Sequence, residues 1–147
     1  MEILLRIMEI YLSDPVRKAR AFMRTVPEGL TFDELFERYP RGSDDYELLS
    51  SMIIFWETIG SLMKHGLLKE ELAFDTFLDA PPWKKVETAF LALRKEEGKG
   101  LEAENLEFAY LRSREWMKRN LPRAARLGPK STRRSNKRAA KPSRARG

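Results

Sequence analysis

Residues 44–65 constrain the architecture more than any other part of the chain. Tyr46, Leu49, Met52, Ile53, Trp56, Ile59 and Met63 recur at helical spacing, and Leu48, Phe55 and Leu62 widen that face until most of the girth is apolar. A helix of this kind is central in a bundle, because it must be covered on most sides. The remainder of the chain offers helices to cover it. Every periodic segment before residue 121 has helical spacing, and no strand alternation appears.

The punctuation between these segments is specific. Ile3, Leu4, Ile7, Met8, Tyr11 and Leu12 form a first stripe, and Asp14-Pro15 starts a second helix, the carboxylate serving as cap and the proline as first helical residue. Val16, Ala19, Met23 and Val26 continue its apolar face. Thr31 and Glu34 make a capping box, with Leu30 and Leu35 placed as a hydrophobic staple, and Pro40-Arg41-Gly42 ends that short helix. Lys64 and His65 suit the negative end of the central helix, and Gly66 can take the left-handed cap position. Further helices are expected over residues 68–78, 83–97 and 102–120, interrupted by Pro81-Pro82 and by Gly98-Lys99-Gly100 and stopped by Pro122. The expected fold is all-α: an irregular bundle of five to seven helices, residues 1–120, around the central helix.

Residues 121–147 differ from this body in kind. They contain ten basic residues and no acid: Arg123, Arg126, Lys130, Arg133, Arg134, Lys137, Arg138, Lys141, Arg144 and Arg146. The whole chain has 28 Lys and Arg against 22 Asp and Glu, so the 18 basic residues outside this segment face all 22 acids; the body is −4 and the full chain +6. The segment has no helical or strand period and little apolar bulk, so it cannot offset its ordering entropy and is expected to be a disordered tail. Closely spaced cations without acids attract polyphosphate backbones through counterion release, which points to DNA or RNA held without sequence preference. No aromatic interleaves them, so base stacking is not indicated. The alternative is a solvated tail on a helical protein-interaction or regulatory module, whose partner is a protein.

Other functional classes lose support residue by residue. Cysteine is absent, which removes disulfides, thiolate metal sites and thiol catalysis and suits a cytoplasmic setting. His65 is the lone histidine, so it reads as a helix-end residue and no metal or other cofactor is expected. Ser50, Ser51 and Thr58 lie on the central helix without a nucleophile elbow, and no glycine-rich phosphate loop occurs. No catalytic constellation is visible, so the chain is not expected to be an enzyme. No run of residues is long and apolar enough to span a membrane, and residues 1–12 do not read as a signal peptide. The paired acids Asp75/Asp79 and Glu104/Glu107 read as solvated faces. Glu57, beside Trp56 on the most apolar helix, needs a partner if buried, and Arg94 is the candidate, the two forming a structural polar pair that fixes how two helices dock.

Two resemblances accompany this reading. Residues 30–68 loosely resemble a winged-helix core, but Asp44-Asp45-Tyr46-Glu47 would turn negative charge on phosphates and no strand pair follows. Phe55-Trp56-Glu57, Gly60, Gly66-Leu67-Leu68, Glu70-Glu71-Leu72, Phe77, Trp83, Arg94 and Leu106-Glu107-Phe108 follow a second pattern. Through it, residues 48–117 resemble an uncharacterised bacterial family, a helical domain of unknown function. Many of its members carry an N-terminal membrane helix, for which residues 1–12 are too short and too charged. The resemblance implies a helical fold and no particular chemistry.

Overall fold

The structure, a computed structural model, describes residues 2–77 and 79–121. Seven helices and no strand make up this part of the chain: α1 (Glu2–Leu12), α2 (Asp14–Met23), α3 (Phe32–Arg38), α4 (Asp44–Lys64), α5 (Glu70–Thr76), α6 (Trp83–Leu93) and α7 (Glu104–Asn120). The expected all-α bundle is the observed fold. The tail expected over residues 121–147 lies, apart from Leu121, outside the described residues.

The central helix is α4. It packs most extensively against α7 and α2, while α3 meets α6 and α5 meets α7. Its Leu49, Trp56 and Ile59 are almost wholly removed from solvent, as are Leu35, Val86 and Leu106 from α3, α6 and α7. Tyr11, Phe55, Trp56 and Phe77 form an aromatic knot in which neighbouring ring centroids lie 4.9–6.0 Å apart, mostly tilted or edge-on as ring quadrupoles prefer.

Several helix ends follow the sequence closely. The Glu34 amide donates to Thr31 Oγ1 at 3.3 Å and the Thr31 amide to Glu34 Oε2 at 2.8 Å, a complete capping box. Donation from the Thr31 backbone amide, and then from its hydroxyl, holds the Glu34 carboxyl below its usual range. At the other end of α4 the Leu67 amide donates to Leu62 O and the Gly66 amide to Met63 O, a Schellman closure made possible by Gly66 at φ 71°.

Others differ. Ser13, not Asp14, occupies the cap position of α2, and its hydroxyl is turned back to donate to Ile10 O. Asp14 instead sits in the first turn, 3.7 Å from Arg17. On α1 only Ile7 and Tyr11 are fully buried; Ile3 and Leu12 of the expected stripe are exposed, because α1 lies at the edge of the bundle with α2 as its main neighbour. Helix α6 stops at Leu93 rather than near residue 97, tapering through i→i−3 turns at Lys95 and Glu96.

Candidate functional site

The ten cations expected to bind nucleic acid lie outside the described residues, so the structure characterises the body that carries them. There, many cations are already matched by acids. Glu70 accepts from Arg112 and Arg119 at 2.6 and 3.1 Å, Lys64 meets Glu104 at 2.5 Å, and Lys84 meets Glu87 at 2.8 Å.

Glu57 and Arg94 do not pair; each has other partners. Glu57 projects from α4 toward α7, where its Oε1 accepts the Leu106 amide at 2.8 Å and its Oε2 the Asn105 side-chain amide at 3.1 Å. The reason is local. The cap residue of α7 is Ala103, which has no side-chain acceptor and sits at φ 55°. The free N–H groups and positive end of α7 therefore take a carboxylate from the neighbouring helix. Gly60, one turn further along α4, lets α7 come close enough: a Cβ there would lie 2.0 Å from the Asn105 carbonyl oxygen. Arg94, at the end of α6, donates to Glu102 O at 2.8 Å and to Glu107 Oε2 at 2.5 Å, with its guanidinium 5.1 Å from the Trp83 ring centroid. It fastens the connection between α6 and α7. The sequence signal for Glu57's role was present: α7 begins without Ser, Thr, Asp or Asn at its cap, so an acceptor had to come from elsewhere.

The other acidic pairs separate in the same way. Asp75 remains on α5 and is exposed, whereas Asp79 lies beyond the end of that helix. Asp79 Oδ2 accepts from the Tyr11 hydroxyl at 3.0 Å and Arg20 Nε at 2.5 Å, and Oδ1 from Arg24 at 3.2 Å. Burial works to raise this carboxyl, but the hydrogen bonds from Arg20, Arg24 and Tyr11 outweigh it and hold it below its usual range. Burial, reinforced by donation to Asp79, pushes the Tyr11 phenol up. The clamp ties the segment before α6 to α1 and α2. Arg20 near the end of α2 and Arg24 at its C-cap, four residues apart, were the available signal. Glu104 and Glu107 turn to Lys64 and Arg94 respectively. His65 Nδ1 lies 2.8 Å from Ser61 O, a helix-end contact. Among the described residues no group of three or more His, Asp or Glu is placed to hold a metal ion, and no helix is long and apolar enough to cross a membrane.

Among the hollows on the described surface, three have largely apolar linings. One of about 320 Å³ lies beside the Asp79 clamp, with Met23, Met52 and Pro81 beneath and Arg24, Lys84, Lys85 and Tyr110 around it. A second of about 530 Å³ is bounded by Phe32, Phe36, Tyr46, Phe90 and Leu101. The third, about 350 Å³, is an apolar groove between α1 and α4 lined by Ile7, Ile10, Ile54 and Phe55. No protein-family model, curated protein or solved structure matches this chain.

Proposed function

We propose that this is a non-enzymatic two-part binding protein, in which the helical body docks a partner and the basic segment 121–147 holds nucleic acid without sequence preference. The observation that carries this reading is the segregation of charge: ten cations and no acid in the last segment, and a body of −4. Several of the body's cations are matched by carboxylates and the body sums to −4, so attraction to a long polyanion falls chiefly to the terminal segment. Filter binding of a random-sequence duplex and of a single strand tests it. The full chain is expected to bind both with a steep salt response. A full-length variant with the ten tail cations replaced by Gln is expected to lose binding. Equal binding by the two proteins would remove the proposal.

A second reading, a protein-interaction module with a merely solvated tail, is favoured by the apolar surface at α1 and α4, where Ile10, Leu12 and Ile54 are each more than half exposed. Absence of nucleic-acid binding by the full chain, together with a protein partner whose capture is lost on Ile54→Asp, would favour it. The likeness of residues 48–117 to the bacterial helical family belongs to the same proposal. Its support is that Glu57, Gly60 and Arg94 of that pattern all stand at joints between helices. The pattern is then a signature of the fold and not of a reaction.

A further inference from the structure

We propose that the hollow of about 320 Å³ between α2, the 79–82 strap, α6 and α7 is a binding site for a small organic anion, a carboxylate or phosphate monoester carried on an apolar body. This is independent of any role of the basic tail.

Three features of the hollow point to that class. Its volume lies at the lower end of the range for small-molecule sites, roughly 300–1,000 Å³, which sets a single-ring or short-chain ligand. Its floor is apolar and closed, with Met23 at 5% and Met52 at 2% exposure. A bare inorganic ion would leave that floor uncovered, whereas a ring or short alkyl group would lie on it.

Its rim, by contrast, is rich in donors and poor in acceptors. Four cations line the hollow against two carboxylates, Asp79 and Glu28. Asp79 is already saturated, both oxygens being held by Tyr11, Arg20 and Arg24. The donors are not. Arg24 gives Asp79 a single 3.2 Å bond through one nitrogen, and its side chain is 67% exposed. Lys85 directs one proton to Val26 O at 2.7 Å, and Lys84 lies 2.8 Å from Glu87 Oε2 as an ion pair, leaving further protons on each ammonium. The Tyr110 hydroxyl has no hydrogen-bond partner among the described residues, and Lys84 lies 6.0 Å from its ring centroid. A ligand oxygen at this rim would find charge-assisted donors on more than one side. Asp79 shows the geometry next door: a carboxylate gripped by a guanidinium pair and a phenol. Glu28, which acts on Lys84 electrostatically, is the unsaturated acid of the rim and works against an anion there.

The test uses the full chain with ¹³C-methyl-labelled methionines, so that Met23 and Met52 report on the hollow and not on the tail. Titration with benzoate and with phenyl phosphate separates the carboxylate from the phosphate source. Saturable shifts of the Met23 and Met52 methyls with at least one of the two are expected. Affinity should fall about tenfold for Arg24→Gln and for Lys84→Gln, the loss of one charge-assisted bond each. Glu28→Gln should tighten binding several-fold, a gain that a misfolded protein could not produce. The proposal is overturned if neither probe shifts these methyls, if inorganic phosphate shifts them as strongly as phenyl phosphate, or if the Arg24→Gln, Lys84→Gln double variant binds as the parent does.

Discussion

Glu57 is a cap supplied in trans: the acid belongs to α4 and the N–H it satisfies belongs to α7. Its removal leaves an unsatisfied donor at a partly buried helix start. Glu57→Ala is therefore expected to cost about 1–2 kcal/mol in urea unfolding, in the range of a lost helix cap, and Glu57→Gln distinctly less because an amide oxygen can still accept. The partner assignment has its own check. A double-mutant cycle between Arg94 and Glu107 should show coupling of about 0.5–3 kcal/mol, and one between Arg94 and Glu57 close to none. Asp79 makes a third residue-scale prediction, in pH. Its carboxyl is held below its ordinary value of 3.8, so its bonds stabilise the fold above that range and are lost as pH falls through the lowered value. Asp79→Asn, which cannot ionise, should be less stable than the parent near neutrality. The gap should close as acidification carries the parent through that lowered value, in parallel unfolding curves. A gap that stayed constant would mean that the clamp contributes through shape and not through charge.

Elements were legible where a helix carries its own instructions. The box at α3 and the glycine closure of α4 are short-range chemistry, written within a few residues of where they act. Thr31→Ala should accordingly cost about 1 kcal/mol, readable as a thermal shift, since it removes one hydroxyl and frees one amide. The same local logic failed at α2, where Ser13 holds the cap position but its hydroxyl is turned to donate to Ile10 O and accepts from no first-turn amide. It failed again at the end of α6. There the expected break at Gly98-Lys99-Gly100 is real, with Gly98 at φ 76°, but the helix has already loosened into i→i−3 turns at Lys95 and Glu96. The Glu57–Arg94 expectation had the need right and the partner wrong. A polar group on an apolar helix does require an answer, yet periodicity gives the face it occupies, not which neighbour reaches it first. The hollow beside Asp79 was not readable at all. It is assembled from α2, a strap, α6 and α7, whose proximity is a property of packing.

At the scale of the whole molecule, the body and the basic segment divide the charge between them. If six to ten of the terminal cations contact phosphates, affinity for nucleic acid should fall roughly 10³–10⁵-fold between 50 and 200 mM salt. A flat response in equilibrium binding would count against the terminal segment as the contact. The body's own architecture rests on the crossing of α4 and α7. Gly60→Ala tests it: a methyl there meets the Asn105 carbonyl, and overpacking of about 1–3 kcal/mol is expected to exceed the helix-propensity gain of about 1 kcal/mol, lowering the melting temperature.

The obstruction facing residue 60 is a peptide oxygen, and every amino acid at position 105 brings the same one. Trimming the side chain at 105 therefore cannot make room for alanine at 60. Relief would require the two helix axes to separate, which would also draw Leu106 away from the carboxylate of Glu57. A screen for second-site suppressors of Gly60→Ala should thus recover changes that widen the crossing elsewhere along α4 and α7, and none that act solely by shortening the opposing side chain.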